Sequence, residues 1–245
     1  MNDVRYHDMP DGRRIAYRHL AGQGPTLVFL PGYMSDMDGG KATAVFDWAQ
    51  KQGRGCLLLD YSGCGRSEGD FADGTLTRWR EEVVTLVETY VDGEVVLLGS
   101  SMGGWLMLLA GLELRDMLAG MVGIAAAPDF TDWGYSDAQK EQLAAGETVF
   151  EANPYGPEPT PTYPGFFTDG QGHRLLGKTI SIAAPVRLLH GQRDTDVPWE
   201  TSQRLAEALR SDDVQVTYVK DGDHRLSRPQ DIALLLRTVD GLLQD

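Results

Sequence analysis

The sequence lacks the features that define several large classes of protein. Its longest apolar runs fall far short of the ~20 residues that a membrane-spanning helix needs. Basic residues are also few, with 22 Lys and Arg against 36 Asp and Glu and a formal net charge of −14. Nucleic acids and anionic membranes are bound by basic surfaces, so this balance argues against both as partners. We therefore expect neither nucleic acid binding nor stable membrane insertion.

Cysteine is scarce, and the first residues carry no recognisable targeting signal. Cys56 lies in an apolar run of strand length and Cys64 in the loop after it, with no cluster of His or Cys around either. Two such cysteines form neither a disulfide framework nor a metal site, and we expect no metal or other cofactor. Residues 1–14 have neither the apolar core of a secretion signal nor the Arg- and Ser-rich composition of a transit peptide. These observations predict a cytoplasmic protein.

What the sequence does contain is a distinctive stretch at residues 95–109, VVLLGSSMGGWLMLL. An apolar run of strand length is followed by a glycine-rich turn and then by an apolar segment of helical character. Gly99, Ser101 and Gly103 form the pattern G-x-S-x-G, which is typical of a nucleophilic serine on a sharp turn between a strand and a helix. The glycines are needed because Cβ atoms at these two positions would collide with neighbouring backbone. Ser100 has larger residues at the equivalent positions, so Ser101 is the candidate nucleophile.

Around this turn, apolar runs of strand length alternate with amphipathic helices. The predicted strands lie at residues 4–6, 14–19, 26–30, 55–60, 95–98, 121–126, 186–190 and 214–219. Helices are predicted at 41–52, 75–90, directly after Ser101, at 199–209 and at 229–243. This alternation indicates the α/β class, with a doubly wound, mostly parallel sheet of eight strands and an antiparallel edge at the N-terminus. The length favours a single domain over residues 1–245.

Residues 129–178 interrupt the alternation, since they contain no buried-strand run and hold five of the 12 prolines. A long irregular segment inside a compact domain is usually functional or disordered, and we expect this one to be a short lid inserted over the site. Its aromatic residues either wall an acyl pocket or give the lid a small core of its own; they are Trp133, Tyr135, Phe150, Tyr155, Tyr163, Phe166 and Phe167. Among them, Trp133 and Phe166 are predicted to contact the substrate.

Acyl transfer needs a nucleophile, a base that accepts its proton and a group that orients the base. With a G-x-S-x-G serine, these groups follow along the chain in the order Ser, acid, His. Four histidines fit the position of the base poorly: His7, His19, His173 and His190. The first two precede the serine, the third lies in the expected lid, and the fourth ends a strand, where a structural hydrogen bond is favoured. His224 lies in the loop after the last strand and is the candidate base.

The acid is expected after the seventh strand, where the chain reads HGQRDTDVP over residues 190–198. The pattern H-G-x-x-D-x-x-V-P favours Asp194 as the group that orients the base. Two alternatives stay open at this point. They are Asp196, two residues later, and Asp129, which follows the preceding strand.

The oxyanion of the tetrahedral intermediate needs hydrogen-bond donors aimed at the charge that develops. We expect one donor to be the backbone N–H of Met102, which begins a helix whose dipole favours negative charge. The second is expected to be the backbone N–H of Tyr33, after the first long strand. Gly32 and Tyr33 are also predicted to contact the substrate. The Tyr33 side chain either lines the acyl pocket or serves only in packing.

Several motifs together resemble one branch of the α/β-hydrolases, the mitochondrial palmitoyl-protein thioesterases of the abhydrolase-domain set, also described as mycophenolic acid acyl-glucuronide esterases. The resemblance is carried by FLPGY at 29–33, DYSG at 60–63, GSSMGGWLM at 99–107, RLLHG at 187–191, VPW at 197–199 and DHR at 223–225. It spans nearly the whole chain and implies an α/β-hydrolase fold with Ser101, Asp194 and His224 as the catalytic triad. Residues 129–178 match poorly and residues 1–14 show no transit peptide, so neither the substrate nor the mitochondrial setting carries over.

These features predict a serine hydrolase of the carboxylesterase or thioesterase type. It is expected to cleave a small-molecule ester or an S-acylated substrate through an acyl-enzyme, without a cofactor. Three alternatives remain, because one fold hosts many functions. They are a peptidase or amidase, a C–C bond hydrolase that uses the same residues, and a non-catalytic ligand receptor.

Overall fold

The computed structural model of the chain describes residues 3–153 and 156–244, and within them a sheet of eight strands forms the centre of the fold. Its strands are β1 (Arg5–Asp8), β2 (Arg14–Leu20), β3 (Gln23–Leu30), β4 (Arg54–Leu59), β5 (Val95–Ser100), β6 (Leu118–Ile124), β9 (Val186–Gly191) and β10 (Val214–Val219). Two further strands, β7 (Val149–Glu151) and β8 (Thr160–Thr162), form a separate hairpin. The spatial order is β1-β2-β4-β3-β5-β6-β9-β10. β1 and β2 run antiparallel to their neighbours, and the remaining pairs are parallel.

Helices cover both faces of this sheet, because successive residues of a strand point to opposite sides. The helices are α1 (Gly40–Gln52), α2 (Leu76–Tyr90), α3 (Met102–Glu113), α4 (Phe130–Trp133), α5 (Asp137–Ala144), α6 (Pro164–Gly172), α7 (Glu200–Ala208) and α8 (Pro229–Leu242). On β3, Val28 and Leu30 belong to the core shared with α2 and α3, whereas Leu27 and Phe29 belong to the core shared with α1 and α8. The predicted doubly wound, mostly parallel sheet of eight strands with an antiparallel edge is confirmed. Within the described part of the chain, no helix combines the length and apolarity that crossing a membrane requires.

Local signals set the ends of the helices that flank the site. The side chain of Thr75 accepts a hydrogen bond from Arg78 N–H (3.1 Å) and begins α2. Gly53, with a φ of 67°, ends α1 in the left-handed conformation that a glycine adopts without steric cost. Both ends lie close to the residues that the sequence predicts.

The segment 129–178 lies between β6 and β9 and is more regular than its sequence indicates, since it holds α4, α5, α6 and the β7–β8 hairpin. Strands of three residues are too short to produce an apolar run. The segment has a small core of its own, which consists of Tyr135, Leu143, Val149 and Phe167. Among the aromatic residues predicted to wall the pocket or fill the lid, Phe150 is 63% exposed, and Tyr155 lies outside the described residues.

Candidate active site

Ser101 occupies the turn between β5 and α3, with a φ of 56° and a ψ of −122°. A non-glycine residue held in so sparsely populated a conformation costs about 1–3 kcal/mol and persists only when its surroundings fix it. Here the end of β6 does so: Ser101 N–H donates to Ile124 O (2.9 Å), and Ala127 N–H donates to Ser101 O (3.0 Å). The strained turn is therefore tied to the rigid end of the sheet.

The two glycines that flank Ser101 are required by close approach of the backbone. A Cβ atom on Gly99 would overlap with Gly103 O in α3. A Cβ atom on Gly103 would overlap with Leu30 O and Pro31 O at the end of β3. The collisions that the sequence pattern implies are thus present on both sides of the serine.

His224 lies in the loop that joins β10 to α8, and its neighbours fix the position of this loop. Leu226 has a φ of 42°, and its side chain is buried in the core. Its N–H group donates to Asp223 Oδ1 (3.0 Å). At the base of the loop, a Cβ atom on Gly191 would overlap with Gly222 O. Glycine at this position lets the ends of β9 and β10 approach, which brings together the loops that follow the two strands.

Ser101, His224 and Asp194 form a continuous chain of hydrogen bonds. Ser101 Oγ–H donates to His224 Nε2 (3.1 Å), and His224 Nδ1–H donates to Asp194 Oδ2 (2.8 Å). The proton is assigned to Nδ1 because an ionised carboxylate can only accept. In this tautomer the lone pair of Nε2 faces the serine hydroxyl, as a general base requires.

The Asp194 side chain is fully buried, and both of its oxygens have donors. Oδ1 accepts hydrogen bonds from the N–H groups of Asp196 (2.9 Å) and Val197 (2.8 Å). Burial acts to raise the pKa of Asp194, but contacts with His190 and His224 and the bond from Val197 outweigh it and hold this pKa well below its usual range. The carboxylate therefore stays ionised and can stabilise an imidazolium at His224.

The structure uses the two alternative acids differently. Asp129, with a φ of 59°, accepts hydrogen bonds from Leu175 N–H (2.7 Å) at Oδ1 and from Leu176 N–H (2.8 Å) at Oδ2. Both of its oxygens thus anchor the end of the segment 129–178. Asp196 is exposed, and its backbone N–H supports Asp194. Of the three candidate carboxylates, the fold brings Asp194 to His224.

The two groups predicted to bind the oxyanion lie beside the serine. Met102 is the first residue of α3, where N–H groups have no partner inside the helix. Tyr33 follows β3, next to Gly32. A Cβ atom on Gly32 would lie 3.3 Å from Ser101 Cβ, so the backbone at residues 32–33 passes directly against the nucleophile.

Two residues at the end of β4 hold this loop, although sequence reasoning assigned them no role. Asp60 Oδ1 accepts a hydrogen bond from Met37 N–H (2.7 Å), and the Tyr61 hydroxyl donates to Pro31 O (3.1 Å). Gly65 has a φ of 51°, and a Cβ atom there would overlap with the Asp60 carboxylate. A carboxylate directly after a buried strand and before a glycine-rich turn was the signal that could have revealed this support.

A cavity of about 730 Å³ opens over the triad. Ser101 and His224 line it together with Gly32, Tyr33 and Trp133, three of the predicted substrate contacts. Other lining residues come from the strand ends and from the segment 129–178, and they include Met34, Phe130, Tyr135, Glu151, Asn153, Thr162 and Val197. Its volume lies in the range of ligand pockets, roughly 300–1,000 Å³. Among residues 3–153 and 156–244, no three His, Cys, Asp or Glu side chains are grouped to hold a metal ion.

Phe166 is a correction to the predicted substrate contacts, because it does not line this cavity. Its side chain is 1% exposed, and its ring centroid lies 5.0 Å from that of Tyr33, 5.6 Å from Phe130 and 5.7 Å from Trp79. The packing of α6 against α2 directs it into this aromatic cluster, one layer behind the cavity wall. Tyr33 both lines the cavity and packs in this cluster, and its hydroxyl donates to Pro161 O (3.0 Å).

Lys41, Arg225 and Met34 also line the cavity, and sequence reasoning gave none of them a role at the site. Lys41 Nζ, at the start of α1, donates to Arg225 O (2.5 Å) in the loop of His224. Burial, together with the nearby Arg225 guanidinium, lowers the pKa of Lys41 to about 8. Met34 has a φ of 55° and is 49% exposed. These residues meet because the loop after β3 and the loop after β10 share one end of the sheet.

Comparison with known proteins gives relatives that cover nearly the whole chain. The mouse protein named Palmitoyl-protein thioesterase ABHD10, mitochondrial, is 38% identical over 234 residues, which are 94% of this chain and 78% of the mouse protein. A solved structure from Agrobacterium vitis S4 gives a TM-score of 0.92 at 37% identity, over 99% of this chain and 100% of that chain. The solved structure of mouse alpha/beta hydrolase domain-containing protein 10 gives a TM-score of 0.92 at 33% identity, over 99% and 98% of the two chains.

The predicted cytoplasmic location is wrong by this comparison, because the mammalian relatives are named as mitochondrial proteins. The prediction rested on the composition of residues 1–14 and on the lack of apolar runs long enough to span a membrane. Targeting segments are recognised and removed separately from the folded domain. The composition of a folded domain therefore does not determine its compartment.

A family model agrees with the fold. The model described as Alpha/beta hydrolase family matches residues 27–233, from β3 to the first turns of α8. This span contains the strained serine turn, the acid loop and the loop of His224. Because this family model matches most of the chain, and because relatives above 30% identity cover most of it as well, the chain belongs to the α/β-hydrolase family.

Proposed function

We propose that this protein is a serine hydrolase that cleaves thioesters and esters through an acyl-enzyme, with Ser101, His224 and Asp194 as its catalytic residues. The observation that carries the proposal is the chain of hydrogen bonds from the serine hydroxyl through the imidazole to a buried carboxylate, at 3.1 and 2.8 Å. Membership of the α/β-hydrolase family supports hydrolysis, and the names of the mammalian relatives support an S-acylated substrate.

In the first half of the reaction, Ser101 Oγ attacks the carbonyl carbon of the substrate while His224 Nε2 takes the hydroxyl proton. The ionised Asp194 stabilises the imidazolium that forms. When the tetrahedral intermediate collapses, the bond from carbon to sulfur or oxygen breaks. His224 returns its proton to the leaving thiolate or alkoxide, and the acyl group stays on the serine.

The negative charge of both tetrahedral intermediates falls on the former carbonyl oxygen. The backbone N–H groups of Met102 and Tyr33 bind this oxygen, and each such donor contributes about 10²- to 10³-fold to the rate. In the second half of the reaction, His224 deprotonates a water molecule that attacks the acyl-enzyme. The carboxylic acid leaves and Ser101 regains its proton.

Residues 129–178 serve as a lid within a single domain of residues 1–245. Phe130, Trp133 and Tyr135 of this segment supply an apolar part of the cavity wall, which suits an acyl chain. The hydrogen bond from Tyr33 to Pro161 O ties the lid to the loop after β3. The length of acyl chain that the enzyme accepts therefore depends on this segment.

Turnover of p-nitrophenyl esters, acyl-CoA and S-acyl-cysteine substrates of increasing chain length tests the proposal. We expect hydrolysis by the unmodified protein and release of one carboxylic acid per cycle. Ser101→Ala lowers kcat by about 10⁴-fold or more and abolishes labelling by a fluorophosphonate. Circular dichroism and thermal melting establish that this variant is folded.

Two results would replace this function with another. A folded protein that binds these substrates without turnover indicates a non-catalytic receptor. Turnover of aminoacyl amides without turnover of esters indicates a peptidase or amidase.

A further inference from the structure

His190 is a second histidine at the Asp194 carboxylate, and the reaction described above gives it no role. It lies near the end of β9 and is 0% exposed. Its Nε2 lies 3.2 Å from Asp194 Oδ2, the same oxygen that receives the bond from His224. The same Nε2 lies 3.1 Å from Val197 O, and Nδ1 lies 2.7 Å from Ser202 Oγ on α7.

The neighbours of His190 determine where its proton lies. The two groups that face Nε2 are a carboxylate oxygen and a backbone carbonyl, and both can only accept. Nε2 therefore carries the hydrogen, and the Ser202 hydroxyl donates to Nδ1. His190, Ser202 and the Asp194 side chain are all buried, so water does not weaken these contacts.

We propose that His190 is a positioning residue of the triad, which holds Asp194 Oδ2 in the orientation that His224 needs. The proposal rests on the proposed function, since it concerns the same triad. The N–H groups of Asp196 and Val197 hold only Oδ1, so the carboxylate could pivot about that oxygen. His190 removes this freedom by contacting Oδ2 and the Val197 carbonyl together.

His190 also divides the charge of Oδ2 between two N–H groups. Other charged groups beside the loop of His224 are Lys41, Asp223 and Arg225, and a replacement of His190 leaves them in place.

The first test determines the tautomer of His190 in the unmodified protein. Long-range ¹H–¹⁵N correlation spectra of protein labelled at histidine, recorded between about pH 5 and 8, distinguish the two neutral tautomers. The spectrum of His190→Gln assigns the signal. We expect the hydrogen on Nε2. A hydrogen on Nδ1 alone would overturn the proposal, because Nε2 would have no proton to offer to Asp194.

The second test compares three variants. His190→Leu removes the donor, and His190→Gln places an amide N–H near the position of Nε2. Ser202→Ala is the matched control, because it removes the partner of Nδ1 and leaves Nε2–H in place. Rates are measured as ester turnover and as inactivation by a fluorophosphonate, both as functions of pH.

We expect His190→Leu to lower kcat and the rate of inactivation by about 10- to 100-fold, with little change in KM. A loss of this size is typical when a hydrogen bond to a charged or orienting group is removed. His190→Gln recovers most of the loss. Ser202→Ala stays within about threefold of the unmodified protein and keeps its pH profile, because its hydroxyl contacts only a neutral nitrogen.

A folded His190→Leu variant with the rate and pH profile of the unmodified protein would overturn the proposal. Equal losses in His190→Leu and Ser202→Ala would also overturn it, since they would indicate packing alone. Failure of the proposed function looks different, because the unmodified protein would then hydrolyse no ester or thioester. In that case the tautomer of His190 and the rate of fluorophosphonate labelling of the His190 variants still decide its role.

Discussion

Replacement of Asp194 by asparagine tests the triad most sharply, because the geometry dictates how the amide must lie. Oδ1 accepts two backbone hydrogen bonds, from Asp196 (2.9 Å) and Val197 (2.8 Å). An amide NH₂ group at that position would face two backbone N–H groups, which are always donors, whereas the two groups at Oδ2 are the His224 and His190 rings, which can change tautomer. The asparagine oxygen therefore takes the place of Oδ1, and its NH₂ group takes the place of Oδ2, opposite the Nδ1 atom of His224.

This orientation reverses the tautomer of His224. Nδ1 must now accept a hydrogen bond, so the proton moves to Nε2, which lies 3.1 Å from Ser101 Oγ. A protonated Nε2 cannot take the serine proton. We expect kcat to fall by about 10⁴-fold, as in other triads that lose this carboxylate, which corresponds to about 5 kcal/mol of transition-state stabilisation.

Steady-state hydrolysis of a short p-nitrophenyl ester by Asp194→Asn measures this loss. Asp129→Asn is the matched control, because the Asp129 side chain is also buried and accepts two backbone hydrogen bonds, but from Leu175 and Leu176. We expect Asp129→Asn to lower stability and to keep kcat within about tenfold, since a buried hydrogen bond to a charged group acts here on folding alone.

The reverse pattern would refute the reasoning. If Asp194→Asn is folded and loses less than about tenfold in kcat, the carboxylate does not set the tautomer of the base. If Asp129→Asn shows the larger loss of kcat with its fold intact, the acid belongs at that position.

Three further predictions follow from the packing and the charges of the site. Tyr33→Phe removes the hydrogen bond to Pro161 O and should lower Tm by about 2–4 °C. It should change kcat little, because the proposed oxyanion donor of Tyr33 is its backbone N–H, which the substitution leaves in place. A hundredfold loss of kcat would contradict this. Phe166→Ala should lower the free energy of unfolding by about 3–5 kcal/mol, as measured by chemical denaturation. Trp133→Ala should instead alter mainly KM and the preferred length of the acyl chain. A changed chain-length preference in the Phe166 variant alone would restore Phe166 as a substrate contact. The lowered pKa of Asp194 stabilises the folded state at pH values above about 4, the ordinary pKa of an unfolded Asp, and this contribution is lost at lower pH. The difference in unfolding free energy between the unmodified protein and Asp194→Asn should therefore narrow below about pH 4, and a constant difference would contradict the assignment.

Much of the fold was predictable because it depends on short-range pattern. The central strands β3, β4, β5, β6 and β9 appear as mainly apolar runs, since a strand buried on both faces has few polar positions. The serine turn was equally clear, because two glycines at fixed spacing meet a steric demand within a few residues of Ser101. His224 followed from the order of the groups along the chain rather than from its own surroundings.

The supports of the site were less accessible to sequence reasoning. His190 looked like a structural histidine, and its contact with Asp194 Oδ2 depends on how the turn after β9 folds back. The contact of Asp60 with Met37 joins two loops 23 residues apart. No local period or spacing encodes such a contact, because it is created by the order of the strands in the sheet.

Sequence alone determined the fold class, the strained serine turn and the choice of His224 as the candidate base, because each follows from local sterics or from order along the chain. Only the tertiary structure brought Asp194 rather than Asp129 to His224 and placed Phe166 behind the cavity wall instead of on it. Both decisions concern the direction in which a side chain points after a loop or a short helix. That direction is set by what packs against the segment in three dimensions, since the helices and strands of residues 129–178 are too short for a periodic pattern in the sequence to specify their inner face.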